Sequence, residues 1–364
     1  MCIADAEASL HLAAEIHKQV RRDLKEQHVI RPGAKLLDIA DFIEAATKQH
    51  ASNVMISNPS ATTINGGIGF PAGLSINSCA AHYHPYLNDS TILSPTDIIK
   101  VDFGTEINGW IIDSAFTEYG FGENSLSKEL SDTFGNLTAC MRDATNTGIK
   151  NIGIDAPIVE WSQAIEEVMK SYDVRPVSNL GGHNILHEII HGNAFLPACA
   201  GSVRDTSERF GAGVYAIETF GSTAEPAETQ TKGTVEVVER GESAIFRLNP
   251  GFMRYSAAQL ATQFHSPIFK IQSVQKLFSQ IKSRFKTLPF ADRYVLSSAS
   301  QRTPLALLAK HEVLYSYPPL CVASAAASVD ASVAGAGYTA QFEHTVMLKE
   351  SGGPPIVFSR DDDY

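Results

Sequence analysis

Apolar residues recur at helical spacing in several stretches of this chain and alternate with polar ones in others. Leu10, Ala13, Ile16, Val20 and Leu24 share one face of a helix expected over 5–26. Leu36, Ile39, Phe42, Ile43 and Ala46 repeat that spacing after Arg31-Pro32-Gly33, which separates the two segments. Further helices are expected at about 127–148 and 157–172, the second with Pro157 in its first turn behind Asp155. A stripe of Ile271, Val274, Leu277, Phe278, Ile281 and Phe285 marks another over 269–286. Strands are expected at 98–107, 110–119, 213–220 and 338–348. The run from Val322 to Gly337 is almost entirely small residues with little to bury, and reads as a surface loop or insertion.

Two of the strands are joined by Asn108-Gly109, the strongest two-residue hairpin signal, because a type I′ turn needs positive φ at both central positions. A two-residue loop there pairs Ile107 with Trp110 and Asp102 with Ala115. Asp113 then shares a face with Asp102 and lies diagonal to it, at a Cα separation of about 7–8 Å. Carboxylates this close on an apolar ribbon repel unless something positive sits between them. The plain alternative is that one of them is solvated or caps a backbone group.

Composition narrows the classes. The 364 residues, 44% hydrophobic, suffice for one large catalytic domain with an insertion. A net charge of −11 with scattered Lys and Arg argues against nucleic-acid binding through a basic face. No stretch approaches the roughly 18 apolar residues of a membrane span, and no secretory signal opens the chain. The five widely spaced cysteines form no CxxC pair and read as reduced thiols of a cytoplasmic protein.

Other candidate ligands follow downstream. Glu218 and Glu343 each interrupt an otherwise apolar or small-residue strand, where a lone buried carboxylate is costly unless paired or metal-bound, and His183 follows Gly181-Gly182. Singly, each has an ordinary explanation: an outward-facing strand position for the glutamates, a satisfied core histidine for His183. Together with Asp102 and Asp113 they form an oxygen-rich set suited to two divalent metal ions of the Co, Mn, Fe or Zn kind, the four carboxylates balancing their charge. A competing pattern is His187-Glu188-Ile189-Ile190-His191, which matches the H-E-x-x-H helix of mononuclear zinc peptidases. Glycines at 181, 182 and 192 leave it hardly two helical turns, so chance coincidence is the better explanation.

Ordered blocks of this chain resemble type 2 methionine aminopeptidase: Asn77-Ser78-Cys79-Ala80-Ala81-His82-Tyr83, Lys100 to Thr105, Ile111 to Thr117, Asp143 to Lys150, Tyr215 to Ser222, Tyr317-Pro318-Pro319-Leu320-Cys321 and Tyr338 to Thr345. The resemblance runs from about residue 8 to Asp362-Asp363-Tyr364. It implies the pita-bread fold, an α/β (α+β) architecture of two pseudo-symmetric halves with antiparallel sheet inside and helices outside. Residues 1–364 would form one catalytic domain, with a helical insertion subdomain at 244–316. The implied activity is that of a dinuclear metal-dependent aminopeptidase removing the initiator methionine from nascent chains whose second residue is small. Asp102, Asp113, His183, Glu218 and Glu343 would be the metal ligands, Asp113 and Glu343 bridging. His82 and His191 would contact the scissile amide and the developing oxyanion, Glu218 would handle the water proton, and Phe70, Ile190, Tyr317 and Leu320 would line the methionine pocket.

Departures from the family pattern are as informative. Gly181 replaces a usually polar residue, which is expected to enlarge the pocket. No histidine stands in Gly241-Glu242-Ser243-Ala244-Ile245-Phe246, where type 2 enzymes carry another pocket histidine, Ala244 aligning best with it. An enlarged polar loop spans Ala224 to Gly241. The charged N-terminal extension of larger eukaryotic members has no counterpart here, so ribosome association is not expected to run through one. A prolidase or X-Pro aminopeptidase of the same fold is the nearest alternative, disfavoured by the Cys-Ala-Ala-His and Gln-Phe-Glu-His blocks. A non-catalytic pita-bread binding protein of the translation machinery would be expected to have lost ligands that are all present here.

Overall fold

The structure is a computed structural model describing residues 3–57, 65–121, 126–225, 233–262, 266–296, 302–323 and 337–364. Most of the Ala/Ser-rich run and the tip of the loop after Ala224 lie outside these residues.

The first half opens with helices α1 (Ile3–Glu26) and α2 (Leu36–Ser57), then strands β1 (Gly66–Ile76), β2 (Cys79–Ala81), β3 (Ile98–Ile107) and β4 (Trp110–Tyr119). The second half repeats the order with α3 (Lys128–Asn151) and α4 (Ile158–Ser171), followed by β5 (Arg175–Pro176), β6 (Gly181–Ile185), β7 (Phe195–Pro197) and β8 (Gly213–Ser222). After β9 (Val237–Glu239) come β10 (Ile245–Leu248), α5 (Ala257–Thr262), α6 (Gln272–Phe285), β11 (Phe290–Ala291), α7 (Arg302–Lys310) and β12 (Leu314–Tyr317). The chain ends with β13 (Leu320–Val322), β14 (Thr339–Leu348) and β15 (Ile356–Val357). This is the mixed architecture the sequence predicts: antiparallel sheets inside, helices packed over them.

Local chemistry explains the elements. At the β3–β4 turn Asn108 and Gly109 have φ of 52° and 82°, so the hairpin closes in two residues and pairs Ile107 with Trp110 and Asp102 with Ala115. The Ser127 hydroxyl caps α3 by accepting from the Leu130 amide, and Phe134, Leu137, Met141, Ala144 and Gly148 bury one face of that helix. Gly148 permits close approach: a Cβ there would lie 2.9 Å from Ile217, and its carbonyl accepts from Trp161 Nε1 at 2.8 Å. Pro157 falls one position before α4 rather than inside its first turn, as the residue flanking the helix start.

Strand β1 has no counterpart among the predicted elements. Its Gly66-Gly67-Ile68-Gly69-Phe70-Pro71 segment pairs with β3 through two register shifts, and Phe70 lies across Gly104, where a Cβ would come within 2.2 Å of its ring. One extended apolar core joins α1–α4 to the sheets. Residues between Phe246 and Leu314 form a separate core around Phe269, Phe278 and Phe290, and the three-stranded sheet β11-β10-β12 ties that unit to the body. The unit combines its helices α5, α6 and α7 with that short sheet.

Candidate metal centre and substrate cavity

Two sheets meet at the five candidate ligands. Asp102 and Asp113 stand on one face of the β3–β4 hairpin, while His183, Glu218 and Glu343 stand on one face of β6, β8 and β14 in the six-stranded sheet. Hydroxyls stitch the seam. Thr345 Oγ1 accepts from the Asp113 amide at 2.8 Å and donates to its carbonyl at 2.6 Å, and Ser114 Oγ donates to the Glu343 carbonyl at 2.8 Å.

The side chains converge in two groups. Asp113, His183 and Glu343 each offer one ligand atom within 4.8 Å of the others, as do Asp102, Glu218 and Glu343. Glu343 belongs to both groups and Asp113 to one. Within the first, His183 Nε2 lies 3.4 Å from Asp113 Oδ2. Burial raises the pKa of Asp102, Glu218 and Glu343, and the neighbouring carboxylates raise it further. No hydrogen-bond donor reaches either oxygen of Glu343, which is 1% exposed, or Oδ1 of Asp102. A buried set of carboxylates, three of whose oxygens lack a donor, with an adjacent imidazole fits divalent cations, which would satisfy those oxygens and cancel the mutual repulsion.

Above the carboxylates opens a cavity of about 310 Å³, walled by Phe70, His82, Ile190, His191, Phe220 and Tyr317. His82 has φ of 66°, is half-buried, and has no hydrogen-bond partner on Nδ1; burial lowers its pKa to about 4. Its ring meets Tyr317 edge-on at 5.5 Å, and the His191 ring lies 4.3 Å from that of His183. The cavity thus pairs an apolar wall with two imidazoles over an acidic floor.

Four features of the sequence take their place from the fold. His187 to His191 is no helix: Leu186 and Ile189 close a tight turn in which Glu188 has φ of 59°. The His187 ring leaves for the hairpin turn, 2.8 Å from the Asn108 carbonyl, Glu188 pairs with Lys286, and of the two histidines His191 alone faces the cavity. The H-E-x-x-H spacing therefore cannot chelate one ion. Gly181 does not widen the cavity, because a Cβ there would meet the Leu196 carbonyl oxygen at 2.4 Å; the glycine instead lets β7 approach β6. Leu320 stands on β13, paired with Ala81 and Glu239. Ile245 stands in the cavity wall, and its neighbour Ala244 is buried.

Sequence reasoning passed over Gln341. Its Nε2 donates to Glu218 Oε1 at 2.6 Å and to Asp102 Oδ2 at 3.3 Å, linking ligands from the two sheets. Strand alternation was the available signal, since Gln341 is two residues from Glu343 and therefore on its face. The same rule would have found Phe220 from Glu218.

Residues 8–263 match the family described as metallopeptidase family M24. Methionine aminopeptidase 2 of Komagataella phaffii is 35% identical over 96% of this chain and 69% of its own length, and that of Saccharomyces cerevisiae is 36% identical over 96% and 74%. Among solved structures, a thermophilic Arx1 superposes with a TM-score of 0.74 over 99% of this chain and 92% of its own, at 15% identity. A methionine aminopeptidase from Thermotoga maritima gives 0.58 over 99% and 98%, also at 15%. At that identity the structural likeness bears on fold alone, whereas the sequence relatives cover nearly the whole chain. The chain belongs to metallopeptidase family M24, in the methionine aminopeptidase 2 group.

Proposed function

We propose that this protein is a dinuclear metal aminopeptidase that removes methionine from the N-terminus of chains whose second residue is small. The observation that carries the reading is the sharing of Glu343, both of whose buried oxygens lack a donor, between two ligand groups at the floor of an apolar cavity. Asp102, Asp113, His183, Glu218 and Glu343 would hold the pair. Bound there, divalent cations of the Co, Mn, Fe or Zn kind lower the pKa of water and polarise a peptide carbonyl.

The chain's own residues supply the rest. Glu218, held by Gln341, takes up the proton of the attacking water, an assignment consistent with its raised pKa. His82 and His191, both kept neutral by lowered pKa values, offer N–H donors to the scissile amide and to the oxyanion without adding positive charge to the centre. Phe70, Ile190 and Tyr317, with Phe220 and Ile245, surround a flexible thioether side chain. Substrates made during translation place the enzyme in the cytoplasm, with nascent chains at the ribosome as its partners.

The test combines metal analysis of the purified protein with hydrolysis of Met-Ala-Ser against an Ala-Pro peptide. Two metal ions per chain and release of methionine from the first peptide alone are expected. One ion, or preference for the X-Pro bond, would overturn the reading.

A further inference from the structure

The cavity is walled from two sides. Phe70, Pro71 and Gly73 come from β1, whereas Ile245, Pro289 and Tyr317 come from the β11-β10-β12 sheet and its flank, the part of the chain that carries its own core between Phe246 and Leu314. The width of the cavity therefore depends on how that unit is held against the body.

One side chain crosses from the unit to the body beside β1. Arg293 stands in the helical turn Asp292–Tyr294, directly after β11. Its side chain is 11% exposed, and all three guanidinium nitrogens donate to the body: Nε to His84 Nε2 at 2.8 Å, Nη1 to Asp41 Oδ1 at 2.5 Å and Nη2 to Glu44 Oε2 at 2.6 Å. The Tyr294 hydroxyl donates to the other oxygen of Glu44. His84 and Glu44 are both buried, so these contacts are made away from water, where a lost partner is most destabilising.

His84 carries the contact on to the cavity wall. Its Nδ1 lies 2.8 Å from the Ala72 carbonyl oxygen, which can only accept, so Nδ1 bears the ring proton and Nε2 is left to accept from Arg293. Ala72 sits where the β1–β3 ladder shifts register between Phe70 and Gly73, and its neighbours Pro71 and Gly73 face the cavity. On the other side, Ala291 pairs with Ile245, Ile245 pairs with Tyr317, and the Asp292 amide donates to the Ala244 carbonyl. Directed bonds thus run from one wall to the other through His84 and Arg293. A second anchor, in which Thr287 and Lys286 both engage Glu188, means that losing Arg293 would loosen the unit without releasing it.

We propose that Arg293 is a positioning residue that sets specificity: through His84 and Glu44 it fixes the gap between the β1 wall and the insertion wall, and so the length of side chain the cavity accepts. Arginine suits the task because its rigid fork serves three partners at once. The inference rests on the reading that this cavity holds the methionine of the substrate.

The test is steady-state kinetics on Met-Ala-Ser and on ethionyl-Ala-Ser, whose side chain is one methylene longer, together with amide hydrogen exchange in β10 and β12. The variants are Arg293→Met, Arg293→Lys, His84→Leu, His84→Gln and the Arg293→Met/His84→Leu pair. The wild type should prefer methionine about tenfold or more in kcat/KM. Arg293→Met and His84→Leu should each raise KM for Met-Ala-Ser about tenfold with kcat within about threefold, reduce the preference for methionine to about threefold or less, and speed exchange in β10 and β12. The pair should be no worse than the more affected single variant. Arg293→Lys should resemble Arg293→Met, because an ammonium cannot hold His84, Asp41 and Glu44 together. His84→Gln, which can still accept from Arg293 and donate to Ala72, should keep the wild-type discrimination. A purely structural role would lower Tm while leaving KM and the methionine preference unchanged; that result, or effects that multiply in the pair, would overturn the proposal. If Arg293→Met does not fold because Glu44 is left buried and unpaired, Arg293→Met/Glu44→Gln is judged by the same criteria. Should the wild type fail to cleave Met-Ala-Ser, the aminopeptidase reading falls by itself, and hydrogen exchange still decides the role of Arg293: rates in β10 and β12 unchanged by Arg293→Met overturn it.

Discussion

Glu218 and Glu343 stand directly opposite one another on the neighbouring antiparallel strands β8 and β14, both buried. Like charges in that position destabilise a sheet, and here Asp102 and Asp113 add two more carboxylates from the facing hairpin. The fold tolerates the arrangement because of what it is built to hold.

Removing metal should therefore destabilise the chain in a pH-dependent way. Asp102, Glu218 and Glu343 have raised pKa values, mainly from burial. Such groups supply stability below the unfolded carboxylate value of about 4 and lose it as pH rises through the folded one. The metal-free protein should weaken between about pH 5 and about pH 8, while the loaded form gains about 2.7 kcal/mol at a hundredfold excess of ion over Kd. His17, His84 and His344 have lowered pKa values and act in the opposite direction, but in both forms alike. Thermal unfolding with and without chelator at the two pH values checks this. A gap in Tm that narrows as pH rises would refute it.

The two histidine motifs separate cleanly by substitution. Glu188 caps no reaction in this geometry: it pairs with the half-exposed Lys286, a contact worth at most about 1 kcal/mol. Glu188→Gln should keep activity within about twofold, whereas His183→Ala should lose a hundredfold or more, on the order expected for a lost ligand. Steady-state rates on Met-Ala-Ser decide; the reverse order would restore the mononuclear zinc reading.

Gln341→Leu tests the link between the two sheets. Without its amide, Glu218 and Asp102 lose their shared donor, and metal affinity should fall by about 10–100-fold with the fold retained. Metal titration followed by calorimetry gives the number. Wild-type affinity would mean that strand pairing alone orients these carboxylates.

Gly181→Ala should destabilise by about 1–3 kcal/mol, since the added methyl meets the Leu196 carbonyl and must push β7 away. Denaturant unfolding checks this. A variant as stable as wild type would return Gly181 to the role of an open space in the cavity wall.

Much of the site was legible because it rests on short-range rules. Asn108-Gly109 admits one tight turn, and once the turn is known, period-two alternation places Asp102 beside Asp113 with no knowledge of the rest of the fold. Glu218 and Glu343 stood out as carboxylates in strands that otherwise had to be buried. The helical stripes of α1, α2, α3, α4 and α6 were visible because each helix meets the core along a single face.

Tertiary structure decided whatever depends on a distant partner. Strand β1 is rich in glycine and carries a proline, a composition that signals a loop, and it becomes a strand only because β3 offers a ladder and Phe70 needs the bare backbone of Gly104. The flanking glycines argued against a helix at the H-E-x-x-H spacing, but only the fold shows where it goes: the Asn108 carbonyl and the Gly109 carbonyl draw His187 and the Glu188 amide to the hairpin turn. Gly181, Ile245 and Leu320 owe their places to β7, β12 and β2, contacts between segments far apart in the chain. Sequence spacing specifies which side chains share a face; which faces meet is set by packing between elements, and no local pattern encodes it.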